Sequence, residues 1–244
     1  MAQVVAGHSI NNMTSNKVSI IIPCLNEENS IHATLLALQS LRHRGHEVIL
    51  GDAGSTDNTS DIASTLCDKI IPCGKGRALQ MNTAAEFASG DILCFLHADT
   101  IAPENLDSLI IDALANNKNV WGRFNIKLSG KHWSFRLIES LINIRSCITG
   151  IASGDQGIFI SRRVFNKLHG FKLIPLMEDI ELSQRLKNKS RPVCVSKSQL
   201  ITSSRRWEKH GIARTVILMW SLRLKYFLGT PTTQLEKLYR QHDK

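Results

Sequence analysis

The stretch ILCFLHADT, Ile92 to Thr100, decides how the chain is read. Its first five residues are apolar, which marks a strand buried on both faces in the middle of a parallel sheet. The run stops at His97-Ala98-Asp99, a polar triplet at the strand's carboxyl end. In open α/β sheets, ligands bind in the crevice beyond those ends. A carboxylate there, beside an imidazole, can hold a divalent cation and through it a phosphate. The local alternative is a helix cap, with Asp99 or Thr100 opening a helix that has Pro103 in its first turn.

Upstream of that strand the chain alternates. KVSIIIP (Lys17–Pro23) reads as a first strand ended by proline. Ile31, Leu35, Leu38 and Leu41 recur at helical spacing, and Gly45 closes that helix. Strands are expected over Glu47–Leu50 and Lys69–Pro72, and helices over Asp61–Cys67 and from Arg77 to Ala88. Strand and helix in strict turn predict a parallel sheet with right-handed crossovers. Downstream the alternation loosens. Helices are expected over 103–116, 132–148, 161–169, 178–188 and 212–228, an extended segment over 119–128, and a short strand over 156–161. Pro192–Val195 and Gln199–Thr202 read as two edge strands. The fold class is therefore α/β: a Rossmann-like, mostly parallel central sheet flanked by helices, with a helical C-terminal extension. Residues 1–16 read as a flexible polar tail, 17–210 as one domain, and 211–244 as the extension.

Composition bounds the partners. With 43% hydrophobic and 21% charged residues the chain is ordinary for a soluble globular protein. No secretory leader is readable before Lys17, and no apolar run approaches the roughly 20 residues that span a bilayer. The six cysteines show neither CxxC pairing nor zinc-like spacing, which predicts free thiols and a reducing, cytoplasmic setting. The first 100 residues hold 6 basic against 10 acidic side chains, and the remaining 144 hold 24 against 11. A basic second half fits an anionic partner such as a nucleotide diphosphate or acidic headgroups. A nucleic-acid-binding protein would fit the same charge, but the 6% aromatic content and the lack of any recognition motif argue against it.

Four further polar clusters fall at strand ends or in the loops after them. PCLNEE (Pro23–Glu28) follows the first strand. GDAGSTDNT (Gly51–Thr59) follows the second, with Asp52 at the strand tip, where a carboxylate can accept from a base N–H or a ribose hydroxyl. GKGRALQMN (Gly74–Asn82) sets Lys75 and Arg77 at a helix start that favours anions, although it is not a P-loop. LMEDIEL (Leu176–Leu182) opens a helix with Glu178 and Asp179, either as dipole-complementing caps or as a general base.

In this order the clusters resemble the family 2 glycosyltransferases, inverting nucleotide-sugar enzymes of the GT-A fold. VSIIIPCLNEE is similar to the family's opening strand and P-x-x-N-E loop, and ILGDAGSTDNT to its D-D-G-S-T-D turn. FLHADT stands at its D-x-D position, MEDIEL at its E-D motif, and SRRWEKHG at the R-W element of some members. With GDQGIFI added, the set most resembles a bacterial subgroup of selenodomain-associated transferases.

The resemblance implies roles. Pro23, Leu25, Glu27, Asp52, Lys75, Arg77, Ala98 and Asp99 would bind the nucleotide-sugar, UDP- or GDP-linked. Asp99, with His97 as a second candidate, would ligate Mn²⁺ or Mg²⁺. Asp179 would be the general base. Glu178, Asp155, Gln156, Arg206 and Trp207 would meet the diphosphate or the hydroxyl acceptor. Two departures stand out: Ala53 replaces the second Asp of the D-D-G turn, and His97 the first Asp of D-x-D.

Rival readings are a sugar nucleotidyltransferase, which would carry a glycine-rich loop where this chain has PCLNEE, and an inactive nucleotide-sugar-binding protein. The apolar 212–228 helix packs on the domain, on a second subunit of a homodimer, or peripherally on the inner face of a membrane.

Overall fold

The computed structural model describes residues 16–116 and 118–241. The tail expected over 1–16 lies, apart from Asn16, outside the described residues. The first half runs β1 (Val18–Cys24), α1 (Ile31–Ala37), α2 (Gln39–His43), β2 (Glu47–Asp52), α3 (Thr59–Ala63), β3 (Lys69–Pro72), α4 (Arg77–Glu86) and β4 (Ile92–Phe95). There follow β5 (Thr100–Ile101), α5 (Leu106–Leu114), β6 (Trp121–Leu128), α6 (Trp133–Thr149), β7 (Ile158–Ser161), α7 (Arg162–Lys167) and α8 (Glu178–Lys187). The chain closes with β8 (Val193–Thr202), α9 (Arg205–His210), α10 (Ile212–Phe227) and α11 (Thr232–Gln241).

Among the described residues eight strands form one sheet in the order β3-β2-β1-β4-β7-β6-β8-β5. The alternating half supplies the parallel pairs β1·β2, β1·β4 and β2·β3, and β6·β8 is a further parallel pair. Every residue of β1, β2 and β4 is buried, as strands covered on both faces require. One apolar cluster gathers Ile20, Ile22, Leu35, Leu50 and Cys94 on one face, and a second gathers Ile21, Ile49, Met81, Leu93 and Phe95 on the other.

The two expected edge strands prove to be one. β8 runs unbroken beside β6, with a register shift between Phe124 and Asn125, and β5 pairs antiparallel along its other side. Sequence periodicity breaks at that irregularity although the strand does not. On the opposite side β6 meets β7 only at Trp121 and Gly122. Beyond them α6 satisfies the strand's backbone with side chains. Asn143 accepts from the Ile126 N–H at 2.9 Å and donates to its carbonyl at 3.0 Å, and Glu139 accepts from the Leu128 N–H. Asn143→Ala leaves two buried backbone groups without partners, an expected loss of about 2–3 kcal/mol, read by urea denaturation.

The cysteine reading needs correction. Cys147, near the end of α6, and Cys194, in β8, are joined by a disulfide with a Cα–Cα distance of 6.0 Å. The pairing is long-range, 47 residues apart, so no local spacing announced it. Cys24, Cys67, Cys73 and Cys94 are free thiols. Among the described residues no helix is long and apolar enough to cross a membrane.

Candidate active site

The parallel strands β1, β2 and β4 end at the same edge of the sheet, and a cleft of about 490 Å³ opens beyond it. Its floor includes Pro23, Glu27, His97, Ala98 and Asp99. Arg77, Asp155, Glu178 and Asp179 form one wall, and Arg205, Arg206 and Trp207 close another. The far end, between α6 and α10, is apolar and includes Ile138, Leu141, Val216 and Met219.

The first two motif loops are laced together. Backbone N–H groups of Asn26, Glu27 and Glu28 donate to the side chains of Ser55, Thr59 and Asp57 at 3.0, 2.8 and 3.2 Å. In return the Thr56 N–H donates to the Asn26 side chain at 2.8 Å. Asn26 holds φ 55°, a left-handed conformation that asparagine tolerates better than most residues. Asp52 anchors this turn: it accepts from the Ser55 hydroxyl at 2.6 Å and from Ser60 at 3.3 Å.

Asp99 stands within electrostatic reach of two further carboxylates, Glu27 and Asp155. Burial raises the pKa of Asp99, and the charges of Glu27 and Asp155 add to that, while Arg205 opposes it. Oδ1 of Asp155 is buried without a hydrogen-bond partner. Arg205 lies 3.8 Å from Glu27. His97 has different neighbours. Burial depresses its pKa to about 3, Arg77 pushes the same way and Asp179 opposes, so the imidazole is neutral. Its Nε2 would lie 2.6 Å from a Cβ added at Gly154, which leaves room there only for glycine.

Gly154 also holds the next acid. Its N–H donates to Asp179 Oδ2 at 2.7 Å, and the Ile180 N–H donates to Oδ1 at 2.7 Å. Both acids open α8 directly after Met177, whose φ of 71° is strained for a residue with a long side chain. Glu178 is 3% exposed, with Arg77 at 3.6 Å. Burial raises its pKa to about 7, against the pull of Arg77 and with the help of Asp179. Asp179 is the less enclosed of the pair and faces the cleft. Gly154→Ala forces His97 or the loop aside and moves the Asp179 anchor. A shift of this kind is expected to cost about 10²-fold in turnover with little change in melting temperature, checked by steady-state kinetics beside thermal melts.

Most of the residues expected at the site line this one cleft, but four stand elsewhere. Leu25 and Lys75 are not among the residues that line it, and Asp52 is spent on its own turn. Gln156 is fully buried: its amide donates to Ser146 at 2.8 Å and accepts from the Ser153 N–H at 3.1 Å. Conversely, sequence reading missed Arg145, Arg205, Arg223 and Tyr239, which line the cleft. Burial lowers the pKa of Arg145 to about 10; Nη1 reaches the Ile151 carbonyl at 3.2 Å, while Nε and Nη2 have no hydrogen-bond partner. Tyr239 reaches in from α11, with the Arg206 guanidinium 3.8 Å over its ring. Arg205 sits inside SRRWEKHG beside the two residues singled out there, but no motif surrounds Arg145, Arg223 or Tyr239; only the packing of α6, α10 and α11 against the domain brings those three in.

Among the described residues no three His, Cys, Asp or Glu side chains gather as a metal-binding group. The donor set nonetheless suits a hard cation that takes part of its shell from a ligand. Mg²⁺ and Mn²⁺ are commonly held by one or two carboxylates plus substrate phosphates. The mutual repulsion at Asp99 and the partnerless oxygen of Asp155 are what such an ion would relieve.

A family profile described as glycosyl transferase family 2 matches residues 19–168, more than half of the chain. The chain belongs to glycosyl transferase family 2. As a family 2 member it is 28% identical, over 200 residues, to the probable glycosyltransferase YdaM of Bacillus subtilis. That match takes in 70% of this chain and 47% of YdaM, so the chain spans less than half the length of this relative. Two solved structures share the architecture. One is glucosyl-3-phosphoglycerate synthase from Mycobacterium tuberculosis with Mn²⁺, UDP and phosphoglyceric acid: TM-score 0.61, 20% identity, 88% of this chain and 80% of that one. The other is S. aureus TarS in complex with UDP: TM-score 0.62, 18% identity, 77% and 60%. At such identities they establish the fold, the GT-A arrangement of a curled α/β sheet flanked by helices.

Proposed function

We propose that the chain transfers a sugar from a nucleotide-diphosphate donor to an acceptor hydroxyl, with inversion at the anomeric carbon. The observation that carries this reading is the meeting of Asp99, Asp179, Arg77 and Arg206 around one cleft at the strand ends of a family 2 fold. The donor nucleotide lies over Pro23 and Glu27, with its diphosphate toward Asp99. Asp99, with Asp155 nearby, would hold the divalent cation, and that ion supplies charge neutralisation for the departing diphosphate. Arg77, Arg205 and Arg206 add fixed positive charge on the same side.

Asp179 takes the proton. As the acceptor oxygen forms its bond to the anomeric carbon, the bond to the β-phosphate oxygen breaks on the opposite face, and the acceptor proton passes to Asp179. The N–H groups of Gly154 and Ile180 hold that carboxylate in place. Glu178, whose pKa burial raises, limits the negative charge beside it. His97, neutral and packed against Gly154, acts as a wall of the site.

A thermal-shift panel of UDP- and GDP-sugars, each with and without Mn²⁺, tests the donor class. A ligand at about 100 times its Kd stabilises by about 2.7 kcal/mol, so the cognate donor is expected to raise Tm by several degrees, more with the metal than without. A folded protein that answers to no nucleotide-sugar in the panel would sink the proposal.

A further inference from the structure

Helices α6 and α10 each carry an inner apolar side and an exposed apolar stripe, opposite it on α6 and adjoining it on α10. Their inner sides meet through Ile138 and Ile142 against Ile212 and Val216. On its outer side α6 shows Trp133, Leu137, Leu141, Ile144 and Ile148, spaced by three or four residues and each at least half exposed. On α10 the outer stripe is Ile217, Trp220, Leu224 and Phe227, again at helical spacing and each more than half exposed. An amphipathic surface helix turns such a stripe inward, so a second one facing out calls for a further apolar partner. The two stripes share a boundary, because Leu141 and Trp220 belong both to them and to the apolar end of the cleft.

Charge selects among partners. α10 carries Arg214, Arg223 and Lys225 and no acid; Arg214 and Lys225 fall on one flank of its outer stripe. α6 adds Arg136, and its one acid, Glu139, is buried and paired with Arg136 at 3.0 Å, while Arg145 lines the cleft. A two-fold contact with a second copy would set these cations near their own counterparts with no acid of either helix to receive them. An anionic lipid surface presents the opposite charge beside hydrocarbon. At 16 residues α10 is roughly 24 Å long, which suits lying in an interface better than spanning a bilayer.

We propose that the outer face of α6 and α10 seats on an anionic phospholipid bilayer, with Arg214 and Lys225 at the headgroup phosphates and the cleft mouth beside Leu141 and Trp220 opening onto the lipid. The seat itself stands apart from the transfer reading; the link rests on that reading in one respect, the side from which an acceptor would arrive.

The test is flotation of the full chain with vesicles of phosphatidylcholine alone or with about one-third phosphatidylglycerol. Binding to the anionic vesicles is expected to exceed binding to the neutral ones about ten-fold and to weaken as salt rises. The pairs Ile217→Glu/Leu224→Glu and Ile144→Glu/Ile148→Glu, outside the cleft lining, are each expected to lower anionic-vesicle binding by about ten-fold or more, with melting temperature and nucleotide-sugar binding unchanged. In the unmutated protein, brominated lipid is expected to quench fluorescence from the exposed Trp133 and Trp220. Wild-type protein that stays with the dense fraction, or paired variants that float as well as wild type, would overturn the proposal. So would a dimer that the Ile217→Glu/Leu224→Glu pair converts to monomer, without vesicle binding by either form. Loss of donor binding with flotation intact would instead remove the transfer reading and leave the seat standing.

Discussion

Replacing Asp179 by Asn is expected to lower sugar transfer by about 10²–10⁴-fold while donor binding stays near the wild-type value. The side chain is nearly isosteric, and one of its two anchors, the Gly154 or the Ile180 N–H, keeps an oxygen to donate to. The other then faces an amide nitrogen, so a modest fall in Tm is expected as well. What is lost is the ability to take the acceptor's proton as the new bond forms. Calorimetric titration with donor beside steady-state turnover separates the two effects. An Asn variant that turns over within a few-fold of wild type would remove Asp179 from the base role and move attention to Glu178, whose raised pKa of about 7 suits proton transfer but whose carboxylate is buried against Arg77.

The second large effect is on stability, at Glu47. Its Oε1 accepts from the Ser19 hydroxyl at 2.6 Å, the Ser89 N–H at 2.6 Å and the Ser89 hydroxyl at 2.8 Å. Lys17 and Lys69 each lie 3.6 Å from Oε2. Burial alone would raise the pKa, but the Ser19 and Ser89 hydrogen bonds and Lys17 prevail and hold it at about 2, against 4.5 for an unperturbed glutamate. A depressed carboxylate contributes stability that is complete above its unfolded pKa and is lost as pH falls from about 4.5 toward 2. That contribution is on the order of 3 kcal/mol. Glu47→Gln is therefore expected to cost on the order of 2–3 kcal/mol at pH 7, roughly 5–10 °C in Tm for a chain of this size. In urea melts the gap between variant and wild type should narrow steadily below pH 4.5. A gap that does not change with pH would mean that packing, not ionisation, carries the effect.

The first half of the fold was legible because each strand there is a short apolar run ended by a turn. Val18–Cys24, Glu47–Asp52 and Ile92–Phe95 need only hydrophobic pattern and punctuation to be found. The acids at their ends, and the pair opening α8, were likewise placed by chemistry that recurs at strand and helix ends. β8 was split in two because its pairing with β6 changes register after Phe124, and the pattern changes with it. Glu47 looked like an ordinary strand start; only Ser19, Ser89 and Lys17, none of them near it in sequence, make it a hub. Arg145 and Tyr239 reach the cleft from helices otherwise read as packing elements, and Gln156 sat inside a plausible motif yet faces Ser146. Local pattern speaks for the strand ends; tertiary contact decides which of the remaining polar side chains are buried, bonded or facing the cleft.

The lacing between PCLNEE and GSTDNT carries a consequence for engineering. Asn26, Glu27 and Glu28 find their acceptors across the gap, on Ser55, Thr59 and Asp57. Neither loop is thus a cassette. Replacing the GSTDNT turn alone would take away the side chains that accept from three backbone N–H groups, replacing PCLNEE alone would take away the Asn26 oxygen that accepts from the Thr56 N–H, and only an exchange of both together would keep this end of the cleft intact.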